Sequence, residues 1–224
     1  VQSEKEFAKM KKRLLSIAVA LILIISVSLA AYAADGFNKA VFDNAPDVFA
    51  VKDDMTGSLT VASESLLGEK GIAIPESGGG YVVVYSGVSI SDTMNGNSIL
   101  FKYYADDWAF IDSIIVKIGN RRYKFDGIPV DRDVLRDASI EEVAFIDLTT
   151  NVIPFMTYLI EHRDETVKVR LQGSDRDIDF ILTDDMKNGI INIYNLYVAG
   201  GGTSKASMKK IDLARNITVT IGQD

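Results

Sequence analysis

The side chains best suited to binding a ligand follow one another closely in residues 103–108. They are Tyr103, Tyr104, Asp106, Asp107 and Trp108. Aromatic rings provide a large contact area at a low entropic cost, so this stretch could form a platform for a sugar or a peptide. The alternative is that Trp108 anchors the core beneath a hairpin whose turn holds the two aspartates.

The acidic side chains could also supply the carboxylate pair of a glycosidase, which needs one acid and one base across a cleft. The candidates for such a pair are Asp106, Asp107, Asp112, Glu141, Glu142 and Asp147. An acidic chain offers such candidates by chance, and aspartate is common in turns. The sequence therefore assigns no catalytic residue.

The triplet Asp175-x-Asp177-x-Asp179 is spaced like the start of a calcium loop. A loop of the EF-hand type also needs glycine at its sixth position and glutamate at its twelfth, and those positions hold Phe180 and Met186. Alternation of aspartates with apolar residues indicates a strand with one face in water. We therefore expect no metal here and no cofactor elsewhere.

The counts of histidine and cysteine exclude several kinds of chemistry. The chain has one histidine, His162, and no cysteine, which excludes thiolate nucleophiles, disulfides and histidine-rich metal sites. His162 is expected near the end of a helix, where it interacts favourably with the helix dipole. Arg121, Arg122 and Lys124 are interpreted as a strand edge protected by charge.

Residues 10–33 have the pattern of a bacterial Sec signal peptide. Three basic residues, 11–13, precede an apolar run over 14–29 and the small residues Ala31-Tyr32-Ala33. The pattern predicts cleavage between Ala33 and Ala34 and an extracellular or cell-envelope location. The alternative is a retained N-terminal anchor, which would be the protein's only contact with the membrane. Residues 1–9 are interpreted as an upstream extension.

The charge of the remaining chain bears on its partners. Residues 1–33 hold five basic and two acidic residues, so residues 34–224 carry 19 Lys and Arg against 29 Asp and Glu, a net charge of −10. Binding to a nucleic acid requires a basic footprint, and this balance argues against it. An acidic balance suits an exported protein that self-repulsion keeps soluble.

The elements that would position these residues form a β-rich α+β fold. Residues 81–202 are predicted as the main domain, after N-terminal strands or an arm (34–80) and before a C-terminal tail (203–224). Apolar residues on both faces predict a central strand over 108–118. Asn95-Gly96 is expected in a tight hairpin turn, and residues 131–137 have short helical potential. Helical periodicity follows at 152–160, where Asn151 can cap the helix, and again after Thr183, the expected cap of a second helix. We predict an antiparallel sheet of hairpins with two amphipathic helices packed on it, or alternatively a two-sheet β-sandwich with peripheral helices.

Residues 98–199 contain the motifs ADDWAFI and TVKVRLQG and a final helix ending in NIYNLY. In these motifs the chain resembles an uncharacterised domain of secreted and lipid-anchored bacterial proteins, which has no assigned activity. The strand that is rich in tryptophan in that group reads VAFI at 143–146 here. The resemblance implies the same architecture and export, and it implies no chemistry.

Two functional hypotheses follow. The first is a non-enzymatic binding or interaction module with a protein or carbohydrate ligand, because no intact catalytic or cofactor motif is present. The second is a secreted hydrolase in which Asp106 or Asp107 is one member of a carboxylate pair.

Overall fold

The fold consists of two antiparallel sheets and two helices. The computed structural model describes residues 37–64, 71–74, 80–90, 95–136, 138–149, 151–202 and 218–223. The strands are β1 (Val48–Lys52), β2 (Leu59–Ser63), β3 (Ile72–Ile74), β4 (Gly80–Ile90), β5 (Asn95–Ala105), β6 (Ile111–Ile118), β7 (Arg121–Asp126), β8 (Val130–Val134), β9 (Ile140–Asp147), β10 (Val167–Gly173), β11 (Ile178–Ile181) and β12 (Thr218–Gln223). The helices are α1 (Ile153–Glu161) and α2 (Asp184–Ala199), and Lys39–Phe42 forms a 3-10 turn.

The strands divide into two sheets. Sheet A has the order β1-β2-β4-β5-β9-β8, with β3 also paired to β4, and sheet B has the order β11-β10-β6-β7-β12. The described pairings are all antiparallel. The predicted β-rich α+β class with two packed helices is therefore confirmed, with the strands arranged in two sheets.

One large apolar core joins the two sheets and the helices. It includes Val84 and Phe101 from sheet A and Val116 from sheet B, all at most 2% exposed. Helix α1 reaches this core through Phe155, whose ring makes edge contacts with the rings of Tyr123 and Phe125 on β7. Helix α2 packs along β4. The amphipathic pattern of each helix thus places its apolar stripe against a sheet.

The helix starts match the sequence signals in one case of two. The Thr183 hydroxyl accepts the Met186 N–H at 3.2 Å and caps α2, as predicted. At α1 the capping position is taken by Val152 rather than the expected Asn151, and no side chain caps the helix. Pro154 lies in the first turn of α1, where its missing N–H is tolerated.

The predicted central strand is present, but it begins later than expected. β6 starts at Ile111 and lies in the middle of sheet B, so Trp108 and Phe110 belong to the preceding loop. Ile111 is buried in the core, and a bulge between Gln172 and Gly173 of β10 adjusts the register beside it. Ile115 lies on the other face and is only half-buried.

Several turns and edges differ from the sequence predictions. Asn95-Gly96 was expected in a hairpin turn, but both residues pair with β4, which moves the connection to residues 91–94, outside the described part of the chain. The short helical segment expected over 131–137 is replaced by β8, because pairing with β9 overrides the weak local preference. The basic strand β7 is no edge, since β12 pairs along its whole length.

The predicted N-terminal strands are present, whereas the predicted signal peptide cannot be compared with the structure. Residues 48–63 form β1 and β2, which join sheet A through β4. The predicted signal peptide, with cleavage between Ala33 and Ala34, lies outside the described residues. In the part of the chain that the structure describes, neither helix is long and apolar enough to cross a bilayer.

Candidate functional site

The connection between β5 and β6 carries the aromatic and acidic residues singled out in the sequence. We call residues 106–110 the aromatic loop. Asp106, Asp107 and Phe110 are exposed in this loop, Trp108 is half-buried against the core, and Ala109 is fully buried. The rings of Trp108 and Phe110 stack with their centroids 6.0 Å apart and their planes at 28°. The loop thus carries two stacked, roughly parallel aromatic rings.

A buried carboxylate holds the backbone of the aromatic loop. Glu142 of β9 is 0% exposed. Its Oε1 accepts the N–H groups of Ala109 at 2.6 Å and Phe110 at 2.9 Å, and its Oε2 accepts the N–H of Ile111 at 2.9 Å. Successive N–H groups directed at one anion are a backbone arrangement suited to negative charge.

Arg132 of β8 completes this anchor. It lies opposite Glu142 in the β8–β9 register, and its Nε donates to Glu142 Oε2 at 3.1 Å. Its terminal nitrogen donates to the Ile111 carbonyl at 2.6 Å, and its guanidinium lies 5.8 Å from the centre of the Phe110 ring. Glu142 therefore accepts four hydrogen bonds, about the number that two carboxylate oxygens can take.

The loop is also fixed from the side of sheet B. The N–H groups of Ser174 and Asp175 donate to the carbonyls of Phe110 and Ala109, both at 3.2 Å. A side chain at Gly173 would collide with the Ala109 carbonyl, so this close approach requires glycine. The loop backbone is therefore held by side chains of sheet A, Glu142 and Arg132, and by backbone N–H groups that follow β10 of sheet B.

The backbone at Phe110 adopts a left-handed conformation. Its φ is +54°, a region that costs a residue with a side chain about 1–2 kcal/mol. The ring itself remains 40% exposed, so burial of the ring does not explain the strain. Strain that surrounding contacts impose on an exposed residue is typical of functional sites.

The five predicted binding residues separate into three environments. Asp106, Asp107 and Trp108 lie together in the aromatic loop. Tyr103 is 0% exposed and belongs to the core, where it faces Glu142 across the β5–β9 pairing. Tyr104 lies on the opposite face of sheet A from Tyr103, as alternation along a strand requires.

Tyr104 belongs to a separate polar group. Its ring stacks on Tyr81 at 4.6 Å, and the Lys102 ammonium lies 5.1 Å from the centre of the Tyr104 ring. Lys102 is 1% exposed and pairs with Glu141 at 2.9 Å. Burial lowers the pKa of Lys102, although the Glu141 carboxylate opposes that shift. Burial likewise raises the pKa of Tyr104, with Glu141 adding to the effect.

Sequence reasoning missed Phe110, Arg132 and Gly173 and mentioned Glu142 only as one of several carboxylates. The alternation of side chains along β9 could have identified Glu142. Glu142 shares its strand face with Ala144 and Ile146, so this alternation directs its carboxylate toward the core. Buried carboxylates need partners, and such a position predicts a structural anion.

The carboxylates near the loop are poorly arranged for hydrolysis. Glu142 already accepts four hydrogen bonds, and Glu141 is paired with Lys102. Asp106 and Asp107 are exposed, and Asp107 lies 3.7 Å from Arg176. A hydrolytic pair needs one carboxyl group in a desolvated pocket, and both of these aspartates are exposed.

The remaining candidates have structural roles. Asp177 and Asp179 both pair with Arg170, at 3.1 and 2.6 Å, so a guanidinium occupies the position a cation would take. The same guanidinium lowers the pKa of Asp179. His162 ends α1 as expected and pairs with Glu165 at 2.8 Å. Among the residues that the structure describes, no group of three potential ligands is arranged to hold a metal ion.

Comparison of the chain with models of protein families, with curated proteins and with solved structures gave no match. The resemblance noted for residues 98–199 therefore rests on its motifs alone.

Proposed function

We propose that the protein is an exported binding module without enzymatic activity, and that it recognises its ligand through the aromatic loop. The observation that carries this proposal is the strained, exposed Phe110, whose backbone N–H is bound by the buried Glu142 carboxylate. A glycine at this position would relieve the strain, so the backbone conformation gives no reason for a phenylalanine. Presentation of the Phe110 ring to a ligand gives such a reason.

The form of the loop favours a carbohydrate ligand. The stacked rings of Trp108 and Phe110 provide an apolar surface of the kind that covers one face of a sugar ring. Asp106 and Asp107 lie beside it and can accept hydrogen bonds from hydroxyl groups. The anchored loop also needs little reordering on binding, which reduces the entropic cost of association. A peptide ligand is the competing class.

Export is supported by the pattern of residues 10–33, whose basic start, apolar run and small-residue end suit Sec processing. N-terminal sequencing of the protein recovered outside the cytoplasm tests this part of the proposal. A mature form beginning at Ala34 supports it. A form that retains Met10 would indicate an N-terminal anchor instead.

The chain contains a single tryptophan, so the fluorescence of Trp108 reports directly on the proposed site. We expect a soluble cell-surface oligosaccharide to change this fluorescence in a saturable way, and Phe110→Ala to weaken binding at least tenfold. Tyr81→Ala is the matched control, because Tyr81 is 41% exposed, against 40% for Phe110, and lies outside the loop. Equal losses in both variants would refute the role of the loop. Saturable binding of peptides, without binding of oligosaccharides, would show that the ligand of the loop is a peptide and not a carbohydrate.

The hydrolase alternative has its own test. If Asp106 or Asp107 were catalytic, the purified protein would cleave glycans, and Asp106→Asn or Asp107→Asn would abolish cleavage while binding persisted. We expect no cleavage above background. Turnover that depends on either carboxylate would overturn the non-enzymatic proposal.

A further inference from the structure

The strand β12 differs from the other strands that end the two described sheets. Those ends are β1 and β8 in sheet A and β11 and β12 in sheet B. β1 carries Lys52, β8 carries three charged residues and β11 carries Asp179, and charges of this kind protect an exposed edge from pairing. β12 reads TVTIGQ and is the longest of the four, yet it has no charged residue and no proline. Its edge therefore lacks the usual protection.

The outer edge of β12 is open to a further strand. Four of its six residues are exposed. In antiparallel pairing every second residue directs its N–H and C=O groups away from the neighbouring strand. Among the residues that the structure describes, none supplies a partner for these groups on the side away from β7. β12 can therefore accept an extended segment by main-chain pairing.

On the face of sheet B that is turned to the core, an apolar row reaches this edge and remains uncovered. Val116 of β6 is opposite Tyr123 of β7, and Tyr123 is opposite Ile221 of β12. Val116 and Tyr123 are each 1% exposed, whereas Ile221 is 53% exposed. An apolar residue of an added strand, placed opposite Ile221, would extend the row and remove the Ile221 side chain from water.

On the outer face, a glycine separates the edge from a cation. Gly222 is opposite Arg122 of β7, which is exposed. No atom lies within 4 Å of the position that a Cβ at Gly222 would take, and the φ of Gly222 is outside the left-handed region. The backbone therefore does not require glycine here. Strands are about 4.8 Å apart, so an acidic side chain on an added strand can reach the Arg122 guanidinium across Gly222.

We propose that the edge of β12 binds an extended acidic peptide segment of a partner protein. Apolar residues of the segment would lie beside Ile221, and an acidic residue would lie opposite Gly222. Main-chain hydrogen bonds supply the affinity, and the side chains on the two faces supply the specificity. The edge includes no residue of the aromatic loop, so this interaction is additional to the one proposed above.

The charge of the neighbouring strand favours an acidic segment over a second copy of this chain. β7 carries three basic residues and one acidic residue. Pairing of two β12 edges would place the β7 strands of two copies three strand spacings apart, about 14 Å. These two basic strands would repel each other, whereas the same charges attract an acidic segment.

The probe is a peptide of alternating valine and glutamate with blocked ends, as long as β12 and labelled with fluorescein. Fluorescence anisotropy measures its binding to the full chain. The comparison peptide has lysine in place of glutamate. We expect saturable binding of the glutamate peptide and at least tenfold weaker binding of the lysine peptide. Hydrogen exchange at the amides of β12 should slow only when the glutamate peptide is added.

Two variants test the side chains that the proposal uses. Arg122→Glu should reverse the order of the two peptides, because it replaces attraction by repulsion. Arg163→Glu makes the same change of charge at an exposed position after α1 and should leave the order unchanged. Gly222→Val should keep the fold, because the space beside Gly222 is open, and should weaken the glutamate peptide by separating its carboxylate from Arg122.

Several results would overturn the proposal. They are absence of binding of both peptides, equal affinity for the two peptides, or an order that Arg122→Glu leaves unchanged or Arg163→Glu also reverses. Loss of peptide binding in Phe110→Ala would assign the peptide to the aromatic loop instead. Dimerisation of the chain with slow exchange in β12 before peptide is added would assign the edge to a second copy. If Arg122→Glu fails to fold, as judged by circular dichroism, Gly222→Val and the comparison of the two peptides on the parent chain decide the matter.

Discussion

The N–H of Phe110 donates a 2.9 Å hydrogen bond to the buried carboxylate of Glu142, while the ring of Phe110 stays 40% exposed. The same residue thus joins the most buried acid of the site to its most exposed aromatic ring. Glu142 determines the path of the backbone, and that path determines where the ring lies. A change at Glu142 should therefore affect both the fold and the proposed binding surface, whereas removal of the Phe110 ring should affect mainly the surface.

Replacement of Glu142 by glutamine should destabilise the protein by about 2–4 kcal/mol. The amide nitrogen would face N–H donors of the loop or Arg132, which leaves buried donors unsatisfied and removes charge-assisted hydrogen bonds. Urea unfolding followed by circular dichroism measures the change. Glu161→Gln, at an exposed position at the end of α1, is the control and should alter the free energy of unfolding by less than about 0.5 kcal/mol. A loss of that small size at Glu142 would contradict the anchoring role.

The strain at Phe110 can be isolated by comparing two variants that both lack the ring. Phe110→Gly should be about 1 kcal/mol more stable than Phe110→Ala, because glycine adopts a φ of +54° without a steric cost. Both variants should lose binding at the aromatic loop. Equal free energies of unfolding would show that the left-handed backbone carries no strain.

Trp108 is both a packing residue and a member of the aromatic surface. Because it is half-buried against the core, Trp108→Ala should reduce the free energy of unfolding by about 2 kcal/mol while the native fold persists. Trp108→Phe should restore part of this loss and part of the binding. Far-ultraviolet circular dichroism monitors the fold in the absence of tryptophan. Global unfolding of Trp108→Ala would show that the residue serves the core alone.

Buried tyrosines should make the fold sensitive to alkali. Burial raises the pKa of Tyr85, Tyr104 and Tyr197 above the ordinary value of 10.0. Above about pH 10 the unfolded chain releases these protons while the folded protein keeps them, so unfolding becomes coupled to deprotonation. Stability should therefore be unaffected by these groups below that pH and fall as the pH rises further.

Tyrosinate absorbance and circular dichroism, followed together during an alkaline titration, test this prediction. The absorbance of the buried tyrosines should appear only as the secondary structure is lost. Ionisation of all nine tyrosines in a protein with native circular dichroism would contradict the burial of these rings.

The parts of the fold that follow from local pattern were predictable from the sequence. Alternation along 178–182 placed Ile178 and Phe180 inside and Asp179 in water, and Thr183 was identified as a helix cap. The start of β6 was not predictable, because the apolar residues at 108–110 continue the strand pattern. Contacts with distant residues, namely Glu142, which lies 32 positions beyond Phe110, and the backbone after β10, hold that stretch as a loop.

Only the part of the candidate site that is continuous in sequence was predictable. Asp106, Asp107 and Trp108 are adjacent in sequence, so composition was enough to identify them. Arg132 reaches the site through pairing of β8 with β9, and Gly173 reaches it from the end of β10. Three of the five residues of β8 are charged, so the local sequence gave no reason to expect that β8 would pair with β9. Contacts between sheets are decided by tertiary packing, which a linear pattern does not encode.

The pairing of β12 with β7 joins residues that are 92 positions apart at Thr218–Asp126 and 102 positions apart at Gln223–Arg121. Closing so long a loop is entropically unfavourable, and folds with many such distant pairings acquire their native order slowly. Before β12 pairs with β7 during folding, β7 has an open edge whose N–H and C=O groups can pair with another chain. Sheet B is therefore completed late, and a chain shortened before Thr218 should associate through β7 and aggregate.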